Sequence, residues 1–365
     1  MRIILLTLLP LLIMACGDLS DDHPAEAQNR IVVDTLIVSD SIGVLAGDSS
    51  YMFGYIACAE ALPGGGAILL DQRTGLVSSF DSEARFISSL GGLGEAPGRF
   101  NRPSLMTVLG DGRIAVIDWM DREVVFFSPE GEYLGSRTTP HRDTPLDIRA
   151  AGDSGYVIYS TPIRQVEGTF RMGFEVNIWQ GMDQEPAATV FSHLFDFGQE
   201  NYDFRPGYLA VAADEDGRVY LHRMNSDEYL IEVFGPYGNS IDSIASEPVI
   251  LTWEQAERYC YVPQVMFGVQ DEGETHQVRG EMTEYLPQVE RMGIDSIGNL
   301  WAQRGTSVEI MWDVFDPQGE QTQQVYLTSF PDTVFMRIQV NEHGIVGWNL
   351  APEDYPKLYF LEYKE

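Results

Sequence analysis

The sequence predicts an all-β fold built from one repeated unit of four antiparallel strands. Three segments share the pattern F-x-P-x-G, and they begin at Phe127, Phe234 and Phe315. Each follows a turn glycine at a nearly constant distance, because the three intervals are 15, 17 and 17 residues. Units of two linked hairpins that recur about every 40–45 residues are typical of radial β-repeats. The repeat therefore predicts a ring of similar sheets.

The second unit shows its four strands most clearly. The alternation in Ile114–Asp118 and the apolar run Val124–Phe127 indicate strands that are buried on both faces between neighbouring sheets. Asp111-Gly112 supplies the positive φ of a tight hairpin, and the proline and glycine of F-x-P-x-G set the next turn. We predict strands over residues 104–109, 113–118, 123–127 and 133–137.

The number of turn glycines gives the number of repeated units. There are six of them, which predicts a six-bladed β-propeller over residues 30–365: Gly66, Gly112, Gly155, Gly217, Gly298 and Gly344. The third unit carries an intruding segment over residues 161–173, and the sixth stops at its third strand. The alternating segment Ile31–Val38 is suited to supply the missing outer strand, which would close the ring and cover the open edge.

One interval is much longer than the rest. Gly217 and Gly298 are 81 residues apart, and Thr252 in the excess can cap a helix that has Glu254 in its first turn. No polar-Gly turn followed by F-x-P-x-G occurs there, which argues against a seventh unit. We predict a helical excursion over residues 250–289, between blades 4 and 5.

The first 15 residues predict an export signal. Arg2 precedes the apolar stretch Ile3–Leu12, which is too short to span a bilayer comfortably. The segment that ends in Ala15-Cys16 resembles a bacterial lipobox, which implies cleavage before Cys16 and a lipid on its sulfur. Ordinary cleavage after Ala15, leaving a free thiol, is the alternative.

Residues 16–29 are polar and acidic, and they predict a disordered tether. The early acidic cluster Ser20-Asp-Asp22 resembles the surface-export signal of some Bacteroidetes-type lipoproteins, and a plain spacer facing the periplasm is the alternative. We therefore expect a lipid-anchored protein of the bacterial cell envelope, at the outer membrane and facing the periplasm or the cell surface. The membrane, reached through the lipid on Cys16, is one predicted partner.

The net charge excludes one class of partner. The chain carries a net charge of −32, and removal of residues 1–15 takes away one Arg and no acid. A protein of this charge repels nucleic acid, and no basic patch offsets the repulsion. With Cys16 acylated, Cys58 and Cys260 are left, and either a disulfide or two buried thiols fits the sequence.

Several motifs around the second unit together resemble an NHL repeat: Gly91-Gly-Leu-Gly94, Gly98-Arg-Phe100, Pro103, Asp111–Asp118, Arg122-Glu-Val124, Phe127 and Gly131. From about residue 31 onward, the chain resembles the six-bladed β-propeller lipoproteins of Gram-negative bacteria. The resemblance implies the fold. It implies no single function, because members of this broad family range from ligand-binding scaffolds to enzymes.

Three arginines stand out from the acidic background. Arg149, Arg291 and Arg337 lie six, seven and seven residues before their turn glycines, which places them at nearly the same level of the innermost strand. A guanidinium group suits carboxylates and phosphates, so we hypothesise a small anionic-ligand site at the channel mouth. The alternative is that each arginine pairs with a nearby acid, such as Glu290 or Asp147, and holds adjacent blades together.

A metal site is a second possibility, suggested by resemblance. Six-bladed lactonases and related esterases hold a divalent metal, often Ca²⁺, in the central channel on oxygen ligands from different blades. Asp147, Asp214, Asp295 and Asn341 lie in or near innermost strands and are weak candidates for such ligands. Their positions match no metal-site motif.

The sequence favours a non-enzymatic binding or scaffold module for a protein, peptide or saccharide. The predicted ligand surface is the loop face, where the aromatic residues Tyr202, Phe204, Tyr208, Trp253 and Tyr259 can form a platform or belong to the core. The alternative is a metal-dependent, lactonase- or esterase-like hydrolase with its site in the channel. A purely structural envelope protein is a third possibility.

Overall fold

The computed structural model describes residues 31–139, 143–196, 208–224, 228–248, 288–304, 310–328, 336–350 and 355–364. All strands belong to one compact unit, Ile31–Glu365. Apart from a short 3-10 turn at Ser49–Tyr51, the regular structure of these ranges is β-strand, so the all-β prediction is confirmed. The predicted helical excursion, the signal segment and the tether lie outside the described residues, except for the non-helical Gln288 and Val289. No helix in the described part of the chain has the length and apolar character needed to cross a bilayer.

Four sheets stand as separate blades, each with its strands mainly in chain order. The first contains β2 (Ile56–Leu62), β3 (Gly66–Asp71), β4 (Leu76–Phe80) and β5 (Phe86–Gly91). The second contains β6 (Pro103–Val108), β7 (Ile114–Asp118), β8 (Glu123–Phe127) and β9 (Tyr133–Thr138). The third contains β10 (Thr144–Ala151), β11 (Gly155–Thr161), β12 (Ile163–Val166), β13 (Thr169–Gln180) and β14 (Ala188–Asp196). The fourth contains β15 (Leu209–Ala213), β16 (Val219–Arg223), β17 (Tyr229–Phe234) and β18 (Ser240–Ser246).

The remaining described strands form one eight-stranded sheet. Its order is β19 (Arg291–Ile294), β20 (Leu300–Arg304), β21 (Met311–Phe315), β22 (Gln321–Leu327), β1 (Val32–Ile42), β25 (Leu358–Tyr363), β24 (Gly344–Asn349) and β23 (Met336–Asn341). The prediction of six separate blades is therefore wrong as a count of sheets, since four are separate. The reason is that β1 pairs on both sides and leaves no free edge between the last two predicted units.

Strand β1 makes two kinds of pairing along its length. Residues Val32–Leu36 pair in parallel with β22, and residues Leu36–Ile42 pair antiparallel with β25. The N-terminal segment thus supplies the outer strand that the last unit lacks, as the alternating pattern predicted. Closure by β1 removes two edges that would otherwise present unpaired backbone groups.

The second blade shows how far local pattern determines the strands. Its four strands begin and end within one residue of the predicted bounds, and every residue of β7 is buried. In the third blade the intruding segment folds as an extra strand, β12, which pairs with the first part of β13. Six apolar clusters lie between neighbouring groups of strands around the ring. The core is therefore a ring of interfaces, which explains why both faces of a strand such as β7 are apolar.

Aspartates at the ends of second strands bind the chain at the start of their own blade. Asp118 accepts hydrogen bonds from the backbone N–H groups of Asn101 and Arg102 and from the turn that follows it. Asp71 does the same for Gly54 and Tyr55 in the first blade. These two carboxylates satisfy backbone donors of the chain entering each blade, the turn-binding role expected of aspartate at such positions.

The first strands of all the units surround a central channel. Strand β2 contacts β6, and contacts continue through β10, β15, β19 and β23 back to β2, so the ring is closed. The packing at one point of this ring is very tight. A Cβ atom added to Gly293 of β19 would lie 2.3 Å from the carbonyl oxygen of Val340 on β23. A side chain at position 293 would therefore force the two strands apart.

We expect Leu36→Ala to weaken ring closure strongly. Leu36 is fully buried in the middle of β1, in the cluster that it shares with Trp312 and Val325. Loss of its side chain should lower the free energy of unfolding by about 3 kcal/mol, measured by chemical denaturation. Val33→Ala is the matched control, since Val33 lies on the same strand and is 67% exposed. Equal effects of the two substitutions would show that β1 does not stabilise the ring.

Candidate functional site

A cavity of 240 Å³ opens at the channel end where the innermost strands finish. Each of the six innermost strands contributes to its wall. One lining residue from each strand, in ring order, is Glu60, Thr107, Arg149, Ala212, Gly293 and Gln339. The cavity is therefore a product of ring closure, because no single blade contains more than a fraction of its wall.

Asp214 and Asp295 are two of the three candidate metal ligands that line this cavity, and both are fully engaged. Both carboxylate oxygens of Asp214 accept hydrogen bonds, from backbone N–H groups of its turn and from the side chains of Arg218 and Tyr220. Both oxygens of Asp295 accept in the same way, from its turn and from the side chains of Asn299 and Trp301. These two carboxylates hold hairpins in shape.

The other two candidates also have structural partners. Asn341 donates to the carbonyl oxygen of Ala61 at 3.0 Å and accepts from the N–H of His343 at 3.0 Å. Asp147 forms an ion pair with Arg149, with 2.9 Å between Oδ2 and Nη2. Within the described ranges, no three His, Cys, Asp or Glu side chains are grouped so that they could hold a metal ion. The engaged oxygens do not fit the Ca²⁺ site that the hydrolase alternative requires.

Arg149 forms a bridge across the channel. Besides its ion pair with Asp147, its Nη1 donates to Oε1 of Gln339. Arg149 lies on β10 and Gln339 on β23, which are three positions apart in the closed ring of six strands and therefore face each other. We call this contact the Arg149–Gln339 bridge. For Arg149, the structure contains the acid pairing that the sequence left open as an alternative.

Arg291 and Arg337 lie one layer deeper than this bridge. The innermost strands run in the same direction, and the cavity is lined from Met292 on β19 and from Gln339 on β23. Arg291 and Arg337 precede these positions on their strands, so they lie further from the mouth. Neither arginine has an ion pair or a hydrogen bond to a described residue, and the Nε of Arg337 is buried without a partner. The pairing alternative is therefore not realised for these two arginines within the described chain.

The charges of this deep layer act on one another. Burial and the positive charges of Arg337 and Arg149 together lower the pKa of Arg291 to about 10, and the negative charge of Glu290 opposes them. Burial raises the pKa of Glu290, whose Oε2 has no hydrogen-bond partner. The layer therefore holds two cationic groups beside a carboxyl group that resists ionisation.

Two residues of β2, the innermost strand of the first blade, were not singled out as functional residues from the sequence. Burial raises the pKa of Glu60 to about 7, although the N–H of Val108 donates to its Oε2 at 2.9 Å. Glu60 lies six residues before Gly66, the same spacing as Arg149 before its turn glycine, so this signal was present. Cys58 lies nearby, and burial together with Glu60 raises the pKa of its thiol. Cys58 has no disulfide partner among the described residues, and Cys260 lies outside them.

The predicted aromatic platform is described only in part. Tyr208 packs edge-on against Phe174, with 6.1 Å between ring centroids, and so belongs to the packing of the third and fourth blades. The other four aromatic residues and the lipidation candidate lie outside the described residues: Tyr202, Phe204, Trp253, Tyr259 and Cys16.

Comparison with known proteins supports the fold. No family model matches the chain, and no curated protein sequence matches it. A candidate exported protein of Bacteroides fragilis has a similar structure, with a TM-score of 0.53 and 12% identity, over 92% of this chain and 100% of that one.

Two further structures are less similar. A DUF4221 member from Bacteroides vulgatus has a TM-score of 0.48 at 10% identity, covering 90% of this chain and 98% of its own. Virginiamycin B lyase from Staphylococcus aureus has a TM-score of 0.46 at 10% identity, covering 89% and 98%. What the comparisons establish is the propeller arrangement of an all-β chain.

We expect Glu60→Gln to remove a pH-dependent loss of stability. The ordinary pKa of Glu60 is 4.5 and its folded value is about 7, so the folded state retains a proton that the unfolded chain releases. The retained proton contributes to the stability of the folded state. This stabilisation is fully present below pH 4.5 and is lost as the pH rises through 7. Glu60→Gln should therefore be more stable than the wild type by about 3 kcal/mol at pH 8 and by less than about 1 kcal/mol at pH 5.

The measurement is chemical denaturation at the two pH values. Glu130→Gln, at an exposed turn, is the matched control and should change stability equally at both. If the stability difference between Glu60→Gln and the wild type does not depend on pH, Glu60 does not retain its proton on folding.

Proposed function

We propose that this chain is a lipid-anchored binding module of the bacterial cell envelope, with its ligand site at the channel mouth. The carrying observation is the mouth cavity, which six innermost strands build from polar and backbone groups around the Arg149–Gln339 bridge. At 240 Å³ it is smaller than a typical pocket for a whole drug-sized ligand, at about 300–1,000 Å³. It suits one side chain, chain end or sugar ring of a protein, peptide or saccharide.

We further propose that the ring consists of six blades. The eight-stranded sheet then consists of two blades that share β1, one containing β19–β22 and one containing β23–β25. The closed ring of six innermost strands supports this division, as do the six turn glycines and the NHL-like spacing.

A binding role is favoured over a metal-dependent hydrolase by the state of two aspartates that line the cavity. Asp214 and Asp295 use all their carboxylate oxygens to hold hairpin turns. A lactonase-like hydrolase needs several oxygen ligands from different blades that are free to bind a metal ion. Releasing these carboxylates would leave turn donors unsatisfied, so the hydrolase alternative has no specific support.

The envelope location is proposed from the N-terminal sequence. The lipobox-like segment before Cys16 and the acidic tether over residues 16–29 favour anchoring at the outer membrane, facing the periplasm or the cell surface. The similar structure from Bacteroides fragilis belongs to a candidate exported protein, which agrees with this proposal.

We expect Cys16→Ser to release the protein from the membrane. Without the thiol no acyl chain can be attached, so the chain should move from the membrane fraction to the soluble fraction. The measurement is fractionation of a bacterium expressing the full chain, with metabolic labelling by a palmitate analogue. Cys58→Ser is the control, and it should remain labelled and membrane-bound. Label retained by Cys16→Ser would disprove lipidation at this residue.

We expect Ala213→Phe to abolish ligand binding by filling the mouth. Ala213 lines the cavity at the end of β15, and a benzyl group would occupy much of the 240 Å³. The measurement is binding of the full chain, in detergent, to arrays of peptides and of bacterial glycans. Trp119→Ala is the control, because Trp119 lies in the β7–β8 turn at the other end of the ring.

The result in favour is binding to a defined peptide or glycan that Ala213→Phe loses and Trp119→Ala keeps. Binding that both folded variants keep would place the ligand site elsewhere.

A further inference from the structure

Arg291 and Arg337 are two cationic groups of the channel without an acid in contact. They lie on β19 and β23, which are adjacent in the ring and approach so closely that Gly293 has no room for a Cβ atom. Neither guanidinium lies within 4.0 Å of a carboxylate among the described residues. Within the described residues, any carboxylate that acts on these two guanidinium groups therefore does so from more than 4.0 Å away.

No nearby carboxyl group of the described residues forms an ion pair with either arginine. Asp147 is already engaged by Arg149, with a second bond of 3.0 Å from Nε. Glu290 is 5% exposed, and its Oε2 is buried with no hydrogen-bond partner. A buried polar atom without a partner is costly, so the unpaired Glu290 oxygen and the unpaired Arg337 Nε each need an explanation. A ligand that contacts both atoms is such an explanation.

We propose that Arg291 and Arg337 bind an oxyanion, a carboxylate or a phosphate, in the channel beneath the Arg149–Gln339 bridge. The planar N–H donors of two arginines match the oxygens of such a group. Glu290 in its protonated form can donate to the same oxyanion, which would satisfy its buried oxygen. This oxyanion site extends the proposed function. It rests on that function only if the oxyanion is part of a larger ligand that also fills the mouth cavity.

The oxyanion has two possible sources, which share this chemistry. It is either a free inorganic or small organic anion, or the terminal acid of a ligand whose body fills the mouth cavity. In the second case the Arg149–Gln339 bridge has to open, because it crosses the channel between the cavity and the deeper arginines.

The test is isothermal titration calorimetry on the full chain in detergent and chloride-free buffer, since chloride would compete. The free-anion probes are inorganic phosphate and acetate. The attached-anion probes are a short alanine peptide with a free C-terminal carboxylate and the same peptide with an amidated C-terminus. We expect binding of at least one free anion, or of the carboxylate peptide in preference to its amide.

Three variants locate the site. Arg291→Gln combined with Arg337→Gln should weaken binding of the positive probe at least tenfold. Arg113→Gln is the matched control, because Arg113 forms an ion pair with Asp111 in a turn, and it should bind as the wild type does. Glu290→Gln keeps a donor at every pH, whereas the Glu290 carboxyl donates only when it is protonated, so this variant should bind the probe at least as tightly as the wild type does.

The outcomes distinguish an oxyanion site from a purely structural role of Arg291, Arg337 and Glu290. If folded wild-type protein binds none of the probes, or if the double variant binds them unchanged, the oxyanion site is wrong. If Glu290→Gln unfolds the protein, or weakens binding in a protein that stays folded, Glu290 neutralises the arginines and the site is wrong as well. Thermal melting of the double variant shows that it is folded.

The oxyanion site and the proposed ligand site at the mouth can fail independently of each other. Loss of peptide or glycan binding in Ala213→Phe with no oxyanion bound anywhere would refute this inference alone. Oxyanion binding without any larger ligand would refute the mouth site alone.

Discussion

Strand β1 is the element on which the rest of this molecule depends. It is hydrogen-bonded to β22 on one side and to β25 on the other, and it joins the two ends of the described sequence. Every apolar interface in the ring lies between two neighbours, so one open junction would expose two faces and two strand edges. Closure by β1 therefore stabilises the whole ring and not only the contacts that β1 itself makes.

Closure also determines the chemistry of the channel. Because the six innermost strands meet around one axis, side chains from opposite sides of the ring come into contact, as Arg149 and Gln339 do. The same confinement shifts the protonation of its charged groups, since the channel replaces bulk water by protein. Glu60 retains a proton near neutral pH, and Arg291 is held close to other cations. A chain that is strongly acidic overall thus brings three guanidinium groups close together in its interior.

Local features of the fold could be read from the sequence, and features that depend on ring geometry could not. The strands of the second blade follow from alternation and turn residues, which act over a few positions. The closing role of Ile31–Val38 follows from an unfilled edge in the last unit. The parallel pairing of β1 with β22 left no signal, because parallel pairing between distant segments has no turn to mark it. For the site, spacing placed three arginines at one level, but which acid each one meets depends on how far apart their strands lie around the ring.

The separation along the chain between β1 and its partners has a consequence for how the protein folds. Ser39 on β1 donates to the carbonyl oxygen of Phe360, across 321 positions of sequence. Contacts of such range form slowly, since the intervening chain has to be ordered first. During synthesis β1 is made early, and both of its edges stay unpaired until the last blade is complete. The exposed Val32 and Val33 lie on that waiting strand, so a newly made chain passes through a stage in which pairing with a second copy competes with closure.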